Sequence, residues 1–335
     1  MGMHPESVHC GDVVIDVRLE DQDRKRVLDG IRRGLLRTPR EISPQFFYDE
    51  HGSQLFVKIT ELPEYYQTRP ARALLERIAD ESVRESGAEV LVELGSGAAT
   101  KTRVLLDAMN RSDRLGVYVP FDVSEGIVRR TAGELVSEYP GLHVHAVIGE
   151  FMEHIDEIPR HGRRLVIFLG GTIGNYDRVS ARRFLSRVAE ATRPGESFLL
   201  GTDLIKDTAT VEAAYNDVQG VTAEFNRNIL RVMNRVADGD FDPEGFEHRA
   251  LYDESNHWIE MRLVASRAQA VRLAAIGMQV HFRSGDGIRT EISAKFDRQR
   301  VEQLLGASGF RMTGWYTDPQ RLFALTLARR IERQP

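Results

Sequence analysis

The chain has 335 residues, 41% hydrophobic and 28% charged, enough for two domains with substantial cores under a solvated surface. Its 45 Lys and Arg against 50 Asp and Glu leave a formal net charge of −5 with the two signs interspersed, which argues against the basic footprint of a nucleic-acid binder. One cysteine, Cys10, rules out an intramolecular disulfide framework, and apolar stretches such as Leu165–Leu169 and Phe198–Leu200 are far too short to span a bilayer.

Residues 1–23 are polar, lack a clear helical period and read as a loosely ordered lead-in. Val27, Ile31, Leu35 and Leu36 predict an amphipathic helix over Arg24–Leu36, ended by Pro39 and Pro44. The aromatic run Phe46, Phe47, Tyr48 follows, and a second short helix over Ser53–Leu62 stops at Pro63. Strands then alternate with helices. The strands are Val90–Leu94, Gly116–Phe121, His143–Ile148, Arg164–Leu169 and Ser197–Thr202; the helices are Lys101–Met109, Glu125–Tyr139 and Ser180–Thr192. Such alternation predicts an α/β fold with a mostly parallel, doubly wound sheet, whose ligands sit at the carboxyl ends of the strands.

After Thr202 the pattern changes. One long helix is expected over Val211–Val236, followed by three β-like runs, Trp258–Ser266, Ala270–Phe282 and Ile288–Phe296, that fit antiparallel strands with one polar face. A helix over Val301–Ser308, capped by Gly309, and a hairpin from Arg311–Trp315 and Leu322–Leu327 close the chain. The predicted layout is a sheet domain (70–205 plus 295–335) interrupted by an inserted α+β lobe (24–69 plus 206–294).

Glu93-Leu94-Gly95-Ser96-Gly97 ends the first of these strands and leads into a helix; its glycines permit positive φ and close approach of a ligand. A dinucleotide site prefers glycine or alanine at position 100 and an acidic residue about 20 positions on. Here position 100 is threonine, and the next strand-terminal acid, Asp122, lies 27 positions beyond Gly95. With Glu93 just before the glycines, the loop resembles the S-adenosylmethionine site of Rossmann-like class I methyltransferases. That resemblance implies that Gly95, Ser96 and Gly97 pack against the methionine part and that Asp122 accepts from the ribose hydroxyls. It also implies that Glu150 and Phe151 recognise the adenine, and that Lys101 reaches the methionine carboxylate. Each has a plainer alternative: a helix N-terminal carboxylate near Ser124 for Asp122, core packing for Phe151, a first-turn helix residue for Lys101.

The fourth strand runs into Phe168-Leu169-Gly170-Gly171-Thr172-Ile173-Gly174-Asn175, a lining of backbone groups plus one amide where a substrate would face the sulfonium methyl. This segment, with Phe47-Tyr48-Asp49, Leu62-Pro63-Glu64-Tyr65-Tyr66, Thr68-Arg69, Gly220–Asn228, Ile259–Met261 and Thr290–Phe296, resembles the EgtD family of histidine-specific methyltransferases. Members convert L-histidine to its Nα-trimethyl betaine, hercynine, in ergothioneine biosynthesis. The likeness extends from about Ile31 to Ala328 and implies a second, substrate-binding α+β domain.

By that resemblance, Asn175 and Tyr215 hold the substrate carboxylate, both being able to donate. Glu291 and Ser293 bond the two imidazole nitrogens, and Met261 lines the imidazole pocket. Tyr48, Phe56, Tyr65, Gly170 and Thr222 complete it, with Tyr48 and Asn175 as the expected catalytic residues. On residues alone, Ile288–Phe296 alternates, so Arg289, Glu291, Ser293 and Lys295 share one face, which equally suits a solvated edge strand. Met261 alone equally suits core packing, and Tyr215 and Thr222, two turns apart on one predicted helix, face the same way. Glu150 stands where the family usually has aspartate and Gly171 where serine is expected; the resemblance does not extend to residues 1–23.

The expected activity is therefore trimethylation of the α-amine of L-histidine by S-adenosyl-L-methionine, releasing S-adenosyl-L-homocysteine, with no metal and no membrane partner. A monomer in the cytoplasm is expected. The sulfonium is already activated, so orientation and desolvation are the protein's main contributions, worth ~7–11 kcal/mol in well-aligned cases. No strong dedicated base stands out; Tyr48 with water, or proton loss to solvent before binding, are equal alternatives. Tyr48, Phe56 and Tyr65 would attract a growing quaternary ammonium by ~0.5–2 kcal/mol each. Closure of the two domains is expected, since both supply substrate groups. The rival readings are a methyltransferase for another amino acid such as tryptophan, for which an apolar residue at 291 would fit better, a non-catalytic S-adenosylmethionine-binding regulator, and a nicotinamide oxidoreductase.

Overall fold

The computed structural model describes residues 6–19 and 21–332, leaving aside the side chains of 6–10 and 21–23. The chain divides into two compact units, the first Met1–Leu19, Arg69–Leu204 and Phe296–Pro335, the second Glu20–Thr68 and Ile205–Lys295.

Among the described residues, the first unit carries one nine-stranded sheet. Its spatial order is Glu6–Cys10, Val13–Val17, His143–Ile148, Val117–Asp122, Val90–Leu94, Arg164–Phe168, Ser197–Asp203, Phe323–Arg330 and Phe310–Thr317. The six strands from Val13–Val17 to Ser197–Asp203 run parallel, and Phe323–Arg330 returns antiparallel. This is the expected Rossmann-like, doubly wound core. Val90–Leu94 is buried along its whole length, as a strand covered on both faces should be. Chain order reverses on either side of it, so its carboxyl end and those of Val117–Asp122 and Arg164–Phe168 border the crevice where ligands of such sheets bind.

Two features of this unit depart from expectation. Part of the segment read as a loosely ordered lead-in forms a hairpin, Glu6–Cys10 with Val13–Val17, turning at Gly11 (φ +58°) and pairing with His143–Ile148. A Gly-Asp pair before a valine-rich run is a hairpin signal, and Ile15 buries against Val128, Ala146 and Ile148. Residues 1–5 and 20 of that lead-in lie outside the described residues. The helix Thr68–Ser86, for which the sequence reading has no element, buries Leu74, Leu75, Ile78 and Val83 in the main core.

The second unit is α+β. Helices Asp21–Leu35, Glu50–Glu61, Thr208–Tyr215 and Val221–Val236 accompany a sheet in the order Arg40–Glu41, Gly287–Ala294, Trp258–Ala265, Phe246–Asp253. The strand Phe246–Asp253 was not foreseen, and the run Ala270–Phe282 is a hairpin of Gln269–Leu273 and Met278–Phe282, turning through Gly277 (φ +58°). The single helix expected over Val211–Val236 is two. Asp217 interrupts it by accepting from the amides of Val221 (2.9 Å) and Thr222 (2.7 Å), and Gly220 turns the chain at φ +72°. Tyr215 and Thr222 therefore lie on different helices, and helical periodicity does not relate them.

The alternation through Ile288–Phe296 also breaks. Met261 stands opposite Glu291 and Arg262 opposite Arg289, so Thr290 is an extra residue, a β-bulge. Directly opposed residues share a face. Glu291 and Ser293 therefore lie with the buried Met261 and Ile259, while Arg289 is turned to the other face, where it pairs with Glu41. Asn226 of the helix Val221–Val236 holds the bulge: it accepts from Thr290 Oγ1 (2.7 Å) and donates to the Arg262 carbonyl (3.1 Å). Arg289 is thus not a neighbour of Glu291 and Ser293 on one face, because the bulge shifts the period by one residue. Among the described residues no helix is long and apolar enough to cross a membrane.

Candidate functional site

In the first unit, Val90–Leu94 delivers the chain into Gly95 (φ +73°) and Gly97 (φ +48°), left-handed conformations that glycine adopts without strain. The Asp122 carboxylate at the end of the neighbouring strand accepts from the amides of Gly97 (3.0 Å) and Ser124 (3.0 Å), one on each oxygen. A carboxylate has about four acceptor positions, so both oxygens keep capacity for a ligand's hydroxyls. Ser96 Oγ is buried without a hydrogen-bond partner among the described residues, and a Cβ on Gly97 would meet nothing within 4 Å. A loop with an unsatisfied buried hydroxyl, open space and a carboxylate alongside fits a polar ligand with vicinal hydroxyls.

Glu93 is turned inward. It accepts from Thr102 Oγ1 and the Tyr118 hydroxyl, each at 2.5 Å. Burial pushes its pKa up to about 7, against the pull of those two donors and of Lys101. Burial in turn lowers the pKa of Lys101, which Glu93 opposes, and the Lys101 ammonium lies 3.5 Å from where a Gly170 side chain would begin. Lys101 thus reaches across to the loop after Arg164–Phe168, where Gly170 and Gly171 are both left-handed and the turn Thr172–Asn175 brings up a half-buried Asn175. Phe151, half-buried, rests edge-on against Phe121 (5.2 Å) and Phe168 (6.1 Å). The Glu150 amide donates to His154 Nδ1 at 3.1 Å.

In the second unit, Tyr48, Phe56 and Tyr65 form one aromatic group. Tyr48 meets Phe56 at 5.6 Å and Phe56 meets Tyr65 at 6.2 Å, both edge-on. Phe225 backs the group, 5.9 Å from both Tyr48 and Phe56 and stacked on Phe47 at 4.5 Å. Asp49 fixes the backbone beneath it, accepting from the Gly52 amide (2.7 Å) and Asn228 Nδ2 (2.7 Å) and pairing with Arg235. Gly52 is obligatory: a Cβ there would lie 1.7 Å from the Phe47 carbonyl oxygen.

A polar relay continues from this group. The Tyr65 hydroxyl lies 3.4 Å from Gln67 Oε1, and Gln67 Nε2 donates to the Tyr215 hydroxyl at 3.1 Å. Lys295 Nζ donates to the same phenol oxygen (3.2 Å) and to Ser293 Oγ (2.9 Å). Two residues back on that face, burial pushes the Glu291 carboxyl up to about 7, partly offset by the positive charge of Lys295. Met261, buried, stands directly opposite Glu291. Thr222 is buried at the start of the helix Val221–Val236, its amide bonded to Asp217. The arrangement sets a carboxyl and a hydroxyl on one face of a strand, beside the apolar Met261 and Ile259.

The sequence-predicted residues thus gather into two groups. Glu93, Gly95, Ser96, Gly97, Lys101, Asp122, Glu150, Phe151, Gly170 and Asn175 lie in the first unit; Tyr48, Phe56, Tyr65, Tyr215, Thr222, Met261, Glu291 and Ser293 lie in the second. Sequence reasoning missed Gln67, Phe225, Thr102, Tyr118 and Lys295 as supporting groups. Lys295 alone left a signal, its place in the alternation after Ser293.

A family model described as histidine-specific methyltransferase, SAM-dependent, matches residues 26–330. The chain is 47% identical over 298 residues to the histidine N-alpha-methyltransferase of Mycolicibacterium smegmatis, covering 89% of this chain and 93% of that protein. It is 45% identical over 309 residues to the protein of the same name from Mycobacterium tuberculosis, covering 92% and 96%. Ergothioneine biosynthesis protein 1 of Neurospora crassa is 30% identical over 299 residues, which are 83% of this chain and 32% of that longer protein.

Proposed function

The chain belongs to the histidine-specific, S-adenosylmethionine-dependent methyltransferases, and on that premise we propose that it trimethylates the α-amino group of L-histidine to hercynine, a step of ergothioneine biosynthesis. The observation that carries the substrate is the register that sets Glu291 opposite Met261 and Ser293 opposite Ile259, on one face, while the bulge at Thr290 turns Arg289 away from them.

Bound S-adenosylmethionine supplies an activated sulfonium methyl and leaves as S-adenosylhomocysteine. The fit of the first unit to that cofactor rests on the partnerless Ser96 hydroxyl, the open space at Gly97 and the spare acceptor capacity of Asp122. In this reading the Gly95–Gly97 loop takes the methionine portion and Lys101 its carboxylate. Asp122 takes the ribose hydroxyls, and Glu150 with Phe151 the adenine. Glu93, committed to Thr102 and Tyr118, braces the loop from behind.

Asn175 and Tyr215 hold the substrate carboxylate as donors, and Glu291, Ser293 and Met261 hold the imidazole. Gly170 and Thr222 complete the pocket. Tyr48, Phe56 and Tyr65 present ring faces and edges to a nitrogen that becomes a fixed cation, an attraction of ~0.5–2 kcal/mol each. The amine reacts only as the free base. The Tyr48 hydroxyl, on a residue 37% exposed, can pass the displaced proton to water. Fixing the nitrogen on the line of the departing sulfur does the rest. We read the first unit as the cofactor domain, the second as the substrate domain, and the enzyme as a cytoplasmic monomer.

Mass spectrometry of L-histidine incubated with the purified chain and S-adenosylmethionine tests this, with other aromatic amino acids in parallel. Gain of three methyl groups by histidine alone supports it. Product from another amino acid instead would retain the methyltransferase and overturn the substrate.

A further inference from the structure

We propose that Lys295 is a positioning residue that selects the neutral imidazole of the substrate: its ammonium donates to Ser293, which turns the Ser293 proton onto the ring nitrogen that carries no hydrogen. The inference rests on the reading of Glu291 and Ser293 as the imidazole-binding pair.

A lysine ammonium has three donors and no acceptor. Lys295 is 1% exposed, so it cannot swing out to water, and its Nζ lies 2.9 Å from Ser293 Oγ and 3.2 Å from the Tyr215 hydroxyl. Its charge also faces Glu291. A serine hydroxyl alone is a rotor that accepts or donates with equal ease. Next to an ammonium that can only donate, Ser293 Oγ must accept on that side, and its single proton is directed elsewhere. Glu291 lies on the same face, one pleat away, and as a carboxylate can only accept.

The pair therefore presents one acceptor and one donor. That pattern complements an imidazole with one N–H and one bare nitrogen. It mismatches an imidazolium, both of whose nitrogens donate, and it mismatches a ring with CH in place of the bare nitrogen. In this account Lys295 touches no substrate atom in the imidazole pocket; it acts through Ser293.

Two experiments test this on the full-length enzyme. The first is 15N NMR of ring-labelled L-histidine bound to the wild-type protein with S-adenosylhomocysteine. One protonated and one bare ring nitrogen is expected; two protonated nitrogens overturn the inference, and this measurement needs no variant to fold. The second compares kcat/KM for L-histidine with that for the pyrrolylalanines, which keep one ring N–H and replace the other nitrogen by CH. Lys295→Met and Ser293→Ala should each cut the preference for histidine by about tenfold or more, as loss of a buried hydrogen bond does. The double variant should show no further loss. A Lys295→Met enzyme with wild-type preference, or losses that multiply in the double variant, would show that Lys295 does not act through Ser293. If the wild type makes no methylated histidine at all, it is the proposed function that fails.

Discussion

Glu291→Gln separates what the carboxylate proposed to bind the imidazole costs the unliganded protein from what it does for the substrate. Burial raises the Glu291 pKa from 4.5 to about 7. A carboxyl whose pKa rises on folding is at ease while protonated; its contribution is fully present below about 4.5 and is lost as pH climbs through about 7. A shift of that size corresponds to a ceiling of about 3 kcal/mol at pH 8, since each unit is ~1.4 kcal/mol. The carboxylate is half-buried and faces Lys295, so about 1–3 kcal/mol is the expected penalty. Glutamine keeps the shape and carries no charge. The variant should unfold a few degrees above the wild type at pH 8, with most of that gain gone at pH 5, measured by calorimetry without ligand. The same variant should lose histidine turnover by about a hundredfold or more while keeping its affinity for S-adenosylmethionine. If the variant is no more stable at pH 8, or gains equally at pH 5, then Glu291 is not a strained charge and the electrostatic account of the pocket is wrong.

Asp122→Asn leaves one acceptor oxygen where Gly97 and Ser124 now take two, so calorimetric affinity for S-adenosylmethionine should fall about 10–100-fold with histidine binding little changed. Gly52→Ala puts a methyl 1.7 Å from the Phe47 carbonyl, forcing the helix Glu50–Glu61 away from the turn that carries Tyr48; a loss of about 3 kcal/mol or more should appear in thermal unfolding. Asn226→Ala strips Thr290 and the Arg262 carbonyl of their buried partner. It should cost about 1–3 kcal/mol and raise the KM for histidine more than that for S-adenosylmethionine, because the bulge that orients Glu291 loosens.

The first unit was legible from the sequence because parallel strands covered on both faces are written as continuous apolar runs, and Val90–Leu94 and His143–Ile148 came out with the bounds the structure gives. The loops that follow carry their chemistry in the backbone, so glycines at 95, 97, 170 and 171 were enough to mark them. The second unit was less legible for a physical reason. Asp217 and Gly220 break an apolar period that would otherwise continue as one helix, and the break depends on side-chain capping that periodicity does not register. At Thr290 the pattern read as simple alternation, and only pairing against Met261 and Arg262 reveals the extra residue. Alternation placed Glu291 and Ser293 on one face, as the pairing does, but it also grouped Arg289 with them, on a face Arg289 does not share. The hairpin Glu6–Val17 was missed because it lies ahead of residues 26–330, which the family model matches, and its valines stand among polar neighbours.

In the proposed reading, the second unit gives up stability for recognition. Glu291 and Ser293 stand on one face of a strand, opposite Met261 and Ile259, and Lys295 is buried just past its end, where aliphatic side chains would pack without any desolvation cost. Removing a buried ionic group in favour of apolar residues is often neutral or stabilising, so these three are not explained by folding. Their value lies in direction. Gln67 and Lys295 both donate to the Tyr215 oxygen, and Lys295 donates to Ser293, so the polarity of each hydroxyl is set by the protein before any substrate arrives. Glu291, as a carboxylate, is the member of the row with no proton to offer a ligand. A pocket built this way pays in stability for fixed proton positions, and on a strand rather than a loop those positions hold still. A hydrophobic pocket of the same shape would admit any flat side chain of similar size. A row of fixed donors and one acceptor admits a ring that offers the opposite pattern, and among the aromatic amino acids the neutral imidazole alone presents both a ring N–H and a bare ring nitrogen.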